Sequence, residues 1–212
     1  MLYLKKSDAN SYKNKRKNFL YYKVIKIILK FLSDKNYTIL DVGSANMDMI
    51  SDLNFKERVS VDIVCPIESD KVIGIKTDFF DYKEPYKFDI VTCFQVIEHV
   101  ENAKKFTQKL LNTGKLVIIS LPYKWAKGLS KYHCQDPVDE RKLYSWTNKK
   151  PVCSFYIKDL DNNCRFISIY GNIFLFAVNC IPQMMLLSLV YSKKGLLKKI
   201  VKTILLFTKV YC

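Results

Sequence analysis

The side chains of this chain that could do chemistry fall at the ends of short apolar runs. Asp41 follows Ile39-Leu40 and opens Asp41-Val42-Gly43, and Asp62 sits within Val59-Ser60-Val61-Asp62-Ile63-Val64. Thr77-Asp78-Phe79-Phe80 follows a third run, and Gln95 follows a fourth, Phe88–Phe94. Carboxylates accept hydrogen bonds from hydroxyls and amines, and a glycine lets backbone approach a ligand closely. Asp62 lies about 20 residues beyond the glycine turn, the separation at which an acid meets ribose hydroxyls. An acid inside an apolar run is costly to bury without partners. A carboxylate beside aromatic rings, as at Asp78, suits the amine and flat face of a purine. Plainer readings stand beside each: Asp41 and Gly43 as helix cap and turn, Asp62 on an exposed edge, Phe79 as core.

A second group lies further on. Glu98-His99 follows the fourth run, and His99 reads equally as a capping or core residue and as a substrate contact. Ser120–Trp146 gathers His133, Asp136, Asp139 and Glu140 among Tyr123, Trp125, Tyr132 and Trp146. His133 held by Asp136 makes a general base, or an acceptor-binding group, for a hydroxyl. The other use of Asp136-Pro137 is to cap the following helix, with Pro137 in its first turn. No second histidine stands near His133 in the sequence, so no metal site is expected. The phosphate-cradling pattern G-x-x-x-x-G-K-S/T does not occur, which argues against a nucleotide triphosphatase.

These residues need elements to position them. Apolar positions 20, 21, 24, 25, 28, 29 and 32 predict an amphipathic helix over Asn18 to Leu32, with Lys23, Lys26 and Lys30 opposite. Strands are predicted at Tyr37–Val42, Arg58–Val64, Val72–Ile75, Phe88–Phe94 and Lys115–Leu121. Helices are predicted around Met47–Leu53, over Ala103–Leu111 with Gly114 as its C-terminal stop, and over Val138–Trp146. Val152–Lys158 and Arg165–Tyr170 form an antiparallel hairpin about Asp159–Asn163. Alternating strands and helices imply a parallel sheet, whose ligands bind outside the carboxyl ends of the strands.

The totals set the class. A chain of 212 residues with 49% hydrophobic content can bury one proper core. Seven cysteines without a C-x-x-C pair argue for reduced thiols in a cytoplasmic setting, and the first residues show no secretory signal. The net charge of +15 belongs to the ends: residues 1–40 carry +8, residues 192–212 carry +6, and 41–191 only +1. From Phe166 to Ser192 no residue is charged, although Asn179, Pro182 and Gln183 interrupt the run. Beyond it, Leu196, Leu197, Ile200, Val201, Ile204 and Leu205 share a helical face opposite Lys198, Lys199 and Lys202. Such a helix suits an anionic membrane surface, with packing on the domain as the alternative.

In order, ILDVGSAN, VSVDI, TDFF, FDIVTCFQVIEHV and GKLVIISLPY resemble the class I S-adenosylmethionine-dependent methyltransferases, over about Tyr37 to Tyr170. The resemblance implies an α/β, Rossmann-like, seven-stranded, mostly parallel sheet with one antiparallel strand and helices on both faces. Basic N- and C-terminal helices flank it, giving segments 1–36, 37–170 and 171–212. It implies S-adenosyl-L-methionine as cofactor, with Asp41, Gly43 and Ser44 at the methionine end and Asp62 and Ile63 at the ribose. Asp78 and Phe79 would meet the adenine and Gln95 the methionine moiety; His133, Asp136 and His99, from the reading of the residues above, are the candidate catalytic residues at the acceptor. Ala45 and Met47 stand where the family often has further glycines, and Asn46 tolerates a left-handed backbone better than most residues. H-x-x-D-P-V-D followed by a tryptophan is also similar to methyltransferases of bacterial surface-glycan assembly. The expected acceptor is therefore a small molecule, glycan or lipid-linked glycan, through a hydroxyl, with the cytoplasmic membrane face as a partner of the basic ends. The alternatives are a nucleic-acid methyltransferase, disfavoured by the near-neutral core and the lack of an N-P-P-Y/F motif, and a catalytically silent module.

Overall fold

β-branched and aromatic runs at the expected places build one sheet of seven strands. A computed structural model describes residues 19–158 and 163–172. Its strands are β1 (Thr38–Val42), β2 (Glu57–Asp62), β3 (Ile73–Lys76), β4 (Phe88–Phe94), β5 (Gly114–Pro122), β6 (Cys153–Lys158) and β7 (Cys164–Gly171). They lie in the order β3-β2-β1-β4-β5-β7-β6. The pairs among β1 to β5 are parallel, whereas β7 runs antiparallel to both β5 and β6. β7 is thus the single reversed strand. The chain changes direction across the sheet between β1 and β4, so their carboxyl ends flank the crevice where such sheets bind ligands.

Helices cover both faces. α1 (Leu20–Leu32) places Tyr21, Tyr22, Val24, Ile25, Ile28, Leu29 and Leu32 in one core, against Ile39, Ile90, Ile118, Phe155 and Ile167. α2 (Ala103–Thr113) and α3 (Glu140–Thr147) close the other core, where Phe106, Leu110, Leu143 and Trp146 meet Leu40, Val91 and Val117. Seven buried side chains give α1 on the order of 10–20 kcal/mol of gross transfer free energy, before ordering entropy is subtracted. The apolar face of this helix is therefore spent on the sheet, and only Lys23, Lys26 and Lys30 look outward. It is not a membrane-facing stripe. This describes α1 alone: the expectation that the basic ends reach a membrane rests also on residues 1–18, which lie outside the described residues. Among the described residues no helix is long and apolar enough to cross a bilayer. The expectations for 173–212, and for the hairpin turn at 159–162, lie outside the described residues.

Three local readings are corrected. Met47–Leu53 is not a helix. The Asp48 carboxylate accepts from the Ile50 and Ser51 amides at 3.2 and 3.0 Å, so a side chain supplies the turn that helix bonds would have made. The apolar spacing there still has a purpose, since Met47, Met49, Ile50 and Leu53 are all buried. Gly114 is extended, at φ −116°, and is not a left-handed helix stop. A glycine is needed because a β-carbon there would come within 2.7 Å of Val91 Cγ2. Finally, α3 is capped by Asp139, whose side chain accepts from Lys142 N at 2.8 Å, rather than by Asp136.

Candidate functional site

The ends of β1 and β2 make the first half of the site. Asp41 is buried at 2% exposure between β2 and β4, and Thr92 Oγ1 donates to its Oδ1 at 2.6 Å. Burial raises its pKa from 3.8 to about 7; the Thr92 hydrogen bond opposes this, and the Asp62 and Asp48 carboxylates add to it. The group is therefore poised to ionise near neutrality, and a cation brought beside it would complete its charge. Gly43 follows with φ +78°, and a β-carbon on it would lie 2.4 Å from Val96 Cγ2. Only glycine fits both the conformation and the space.

The turn continues with Ala45 at φ 45° and Asn46 at φ 62°, so of the two positions where glycines are expected, Ala45 is left-handed, and Asn46 beside it adopts the conformation it tolerates. Asp62 holds the turn there. Its Oδ2 accepts from Ala45 N at 2.9 Å, and its Oδ1 accepts from Val64 N and Cys65 N at 2.7 Å each. A carboxylate offers about four acceptor sites, so one direction on Asp62 remains for a hydroxyl. Ser44 is buried; it donates to Cys65 O at 3.2 Å and accepts from Ser60 Oγ at 3.0 Å. Ile63 is half-buried just past β2.

The β3 end gives a mixed result. Asp78 accepts from Phe80 N at 2.8 Å and remains half-exposed. Phe79 is turned into the core, 4% exposed, with its ring centroid 5.2 Å from that of Phe106 and 4.9 Å from Lys109 Nζ. Its ring is thus a floor of the β3 end rather than an open stacking face. Gln95 has φ 57°, donates from its backbone to Ser120 O at 3.0 Å and from Nε2 to Ser120 Oγ at 3.2 Å. That pair ties the ends of β4 and β5 together.

Beyond Val96 the chain makes a short 3-10 turn, Ile97–His99, and here the second half begins. His133 Nδ1 lies 2.7 Å from Asp136 Oδ2, and both side chains are nearly sealed from solvent, at 8% and 1% exposure. Trp125 stacks on the His133 ring at 5.5 Å, and His99 meets it edge-on at 4.8 Å. His99 Nδ1 lies 2.9 Å from Tyr132 O. Cys134 N donates to Glu98 O at 2.9 Å, and Gln135 Nε2 donates to Val100 O at 2.8 Å, so the two segments are bolted together. Trp125 Nε1 and Asp136 Oδ1 are buried without a hydrogen-bond partner among the described residues. Such groups are ordinarily satisfied by water or a ligand.

The fold thus brings His99, His133 and Asp136 together, three residues beyond the Val96 that covers Gly43. The sequence offers no second histidine near His133, but the space around His133 does. Glu140 and Tyr123 stand apart from this group, where Glu140 accepts from the Tyr123 and Tyr156 hydroxyls. Sequence reasoning passed over Thr92, Ser60, Ser120 and Val96. The first three carry a signal, a small hydroxyl inside an apolar run. Val96 carries none, because its role is to fill the space above a glycine.

No protein-family model and no curated protein matches the chain. Solved structures do. A 1,6-didemethyltoxoflavin N1-methyltransferase from Burkholderia thailandensis, with its substrate and S-adenosylhomocysteine bound, aligns at TM-score 0.60 and 12% identity, over 78% of this chain and 85% of that one. A SAM-dependent methyltransferase from Aquifex aeolicus aligns at 0.55 and 13% identity, covering 79% and 99%. The N-methyltransferase NodS from Bradyrhizobium japonicum, in complex with S-adenosylhomocysteine, aligns at 0.55 and 11% identity, covering 72% and 85%. With its strand order, its single reversed strand and these alignments, the chain has the fold of the class I S-adenosylmethionine-dependent methyltransferases.

Proposed function

We propose that this protein is an S-adenosylmethionine-dependent methyltransferase acting on a small-molecule, glycan or lipid-linked acceptor through a hydroxyl oxygen. The observation that supports it most is the left-handed turn at 43–46, fixed by Asp62 beside the buried Asp41 at the point where the sheet reverses. The residues fit the cofactor. Asp41 would face its ammonium, the Gly43-Ser44 backbone its amino-acid end, Asp62 and Ile63 its ribose, Asp78 its adenine amine, and Gln95 its methionine chain. When bound, S-adenosylmethionine supplies a methyl group already activated on a sulfonium.

The protein then has to align an acceptor and receive a proton. Alignment alone is worth about 7–11 kcal/mol of a barrier in favourable cases. His133, oriented through Nδ1 by Asp136, presents Nε2 to an acceptor hydroxyl, and Trp125 shields the ring from water. The H-x-x-D-P-V-D similarity supports a glycan acceptor. Two of the similar structures are N-methyltransferases, so a nitrogen acceptor is the second reading.

The basic stretch at 192–212 and the reduced cysteines support a cytoplasmic protein that visits an anionic membrane face. Cys65, Cys93, Cys134, Cys153 and Cys164 are thiols rather than disulfides.

Calorimetry with S-adenosylmethionine comes first, and silence at millimolar cofactor sinks the reading. Labelled-methyl transfer to fractionated cell extract then identifies the acceptor class, and a product carrying the label on nitrogen selects the second reading. His133→Ala should lower turnover by about 10²–10⁴-fold. Flotation of the intact chain and a 1–192 truncation with anionic liposomes tests the membrane partner; equal recovery unbound would remove it.

A further inference from the structure

Glu98, His99 and His133 each bring one ligand atom into a group whose members all lie within 4.8 Å of one another. We propose that these three side chains hold a divalent transition-metal ion, zinc first among them, at the carboxyl ends of β4 and β5.

The donor set suits such an ion. Two imidazoles and one carboxylate match a zinc site that keeps a fourth position open for water or a substrate oxygen. Three atoms no more than 4.8 Å apart share a point within about 2.8 Å of each, against metal–ligand distances of about 2.0–2.2 Å. Closing onto an ion therefore requires inward movements of about 0.8 Å at most, a matter of side-chain torsions.

The far side of each ring is also engaged as in a metal site. Metal-bound histidines donate their other N–H to a carboxylate or a backbone carbonyl, which fixes tautomer and orientation. His133 Nδ1 has Asp136 Oδ2 at 2.7 Å, and His99 Nδ1 has Tyr132 O at 2.9 Å. In the proposed site each Nδ1 keeps this partner, and the two rings, from segments far apart in sequence, would bind the ion through Nε2. A single such pairing is common in cores; two converging on one buried carboxylate form a built site.

The group is held rigidly as well. Glu98 is 1% exposed, its carbonyl receives Cys134 N, and Trp125 covers the His133 ring. The ligands therefore stay close whether or not an ion is bound.

The site stands without any assumption about the reaction, but its use rests on the proposed methyl transfer. With an ion in place, His133 Nε2 would be a ligand, and the ion would act as a Lewis acid that lowers the pKa of a bound acceptor hydroxyl; its proton would pass to solvent, and the oxygen would take the methyl from the sulfonium as the S–C bond breaks.

The full-length protein, stripped with chelator, should bind one equivalent of zinc. Its cobalt(II) form should show weak visible bands and no near-ultraviolet thiolate charge transfer. That spectrum reads the donors without any substitution, so a misfolded variant cannot obscure it. Strong thiolate absorption would place the metal on cysteines and overturn the proposal, as would failure to bind zinc at micromolar free metal. His99→Ala and Glu98→Gln should each abolish stoichiometric binding, and Asp136→Asn should weaken it about 10–100-fold. Retention of full affinity in the first two would also overturn it. Cofactor calorimetry on the same sample separates the outcomes. Zinc without cofactor binding fails only the methyltransferase reading, and cofactor without zinc binding fails only this one.

Discussion

Replacing Asp41 with asparagine should remove a pH dependence of stability that this one side chain imposes. Asp41 is enclosed by the sheet, and burial is the main reason its pKa rises from 3.8 to about 7. In the unfolded chain the group ionises near the ordinary carboxylate value. Between about pH 4 and 7, the native state therefore holds a proton that the unfolded state has released. Stability then falls as pH rises through that window, by about 1.4 kcal/mol for each unit. The full deficit, about 4 kcal/mol, is present above pH 7 and absent below pH 4. Asparagine keeps the shape and an oxygen for the Thr92 hydroxyl, but carries no charge to bury.

The measurement is urea unfolding of wild type and Asp41→Asn at closely spaced pH values from about 4 to 8. Taking the difference between the curves cancels the contributions of carboxylates common to both chains. The two proteins should be equally stable at the acid end, and the variant should gain steadily towards pH 7. The plateau should reach about 4 kcal/mol at most, since partial relaxation around the carboxylate lowers the cost. Parallel curves across the range would refute the claim that Asp41 is buried protonated.

The same titration governs cofactor binding. If Asp41 meets the ammonium of S-adenosylmethionine, its ionised form is the competent one, so affinity should fall as pH drops below about 7, and Asp41→Asn should flatten the dependence. Calorimetry across pH checks this. Gly43→Ala combines a left-handed backbone with a 2.4 Å approach to Val96 and should cost about 2–4 kcal/mol, partly recovered by adding Val96→Ala, as read by thermal unfolding. Ala45→Gly should stabilise the fold by about 0.5–1 kcal/mol, because relief of the left-handed strain outweighs the added freedom of the unfolded chain.

The strands were legible because their signal is local and redundant. Phe88–Phe94 is apolar on both faces, as a strand in the middle of a parallel sheet must be, and its ends fall where the sequence placed them. Met47–Leu53 failed for a physical reason. Its apolar residues point inward from turns made by the Asp48 side chain, and periodicity does not distinguish that from a helix. The pairing of His133 with Asp136 spans three residues and was visible. The approach of His99 was not, since it depends on β4 and β5 being neighbours and on Cys134 and Gln135 being tied to residues 98–101. Phe79 shows the converse limit: an aromatic after a strand has the same sequence signature whether its ring faces a ligand or the core.

Asp62 resolves how a turn with one glycine keeps a shape that commonly uses several, and the explanation is testable. Ala45 and Asn46 each sit at positive φ, at a cost of roughly 1–2 kcal/mol for an alanine. Hydrogen bonds to a charged acceptor are worth about 1.5–3 kcal/mol each, and Asp62 accepts three, one of them from Ala45 itself. The tether thus outweighs the strain, and side chain and loop conformation form one coupled unit. Removing Asp62 would lose the tether but also release the strain at Ala45, so Asp62→Ala alone understates what the carboxylate contributes. In an Ala45→Gly background there is no strain to release. Asp62→Ala should therefore cost about 1 kcal/mol more there than in the wild-type background. A double-mutant cycle in urea measures that difference. Equal costs in the two backgrounds would mean that Ala45 is left-handed for a reason unrelated to Asp62.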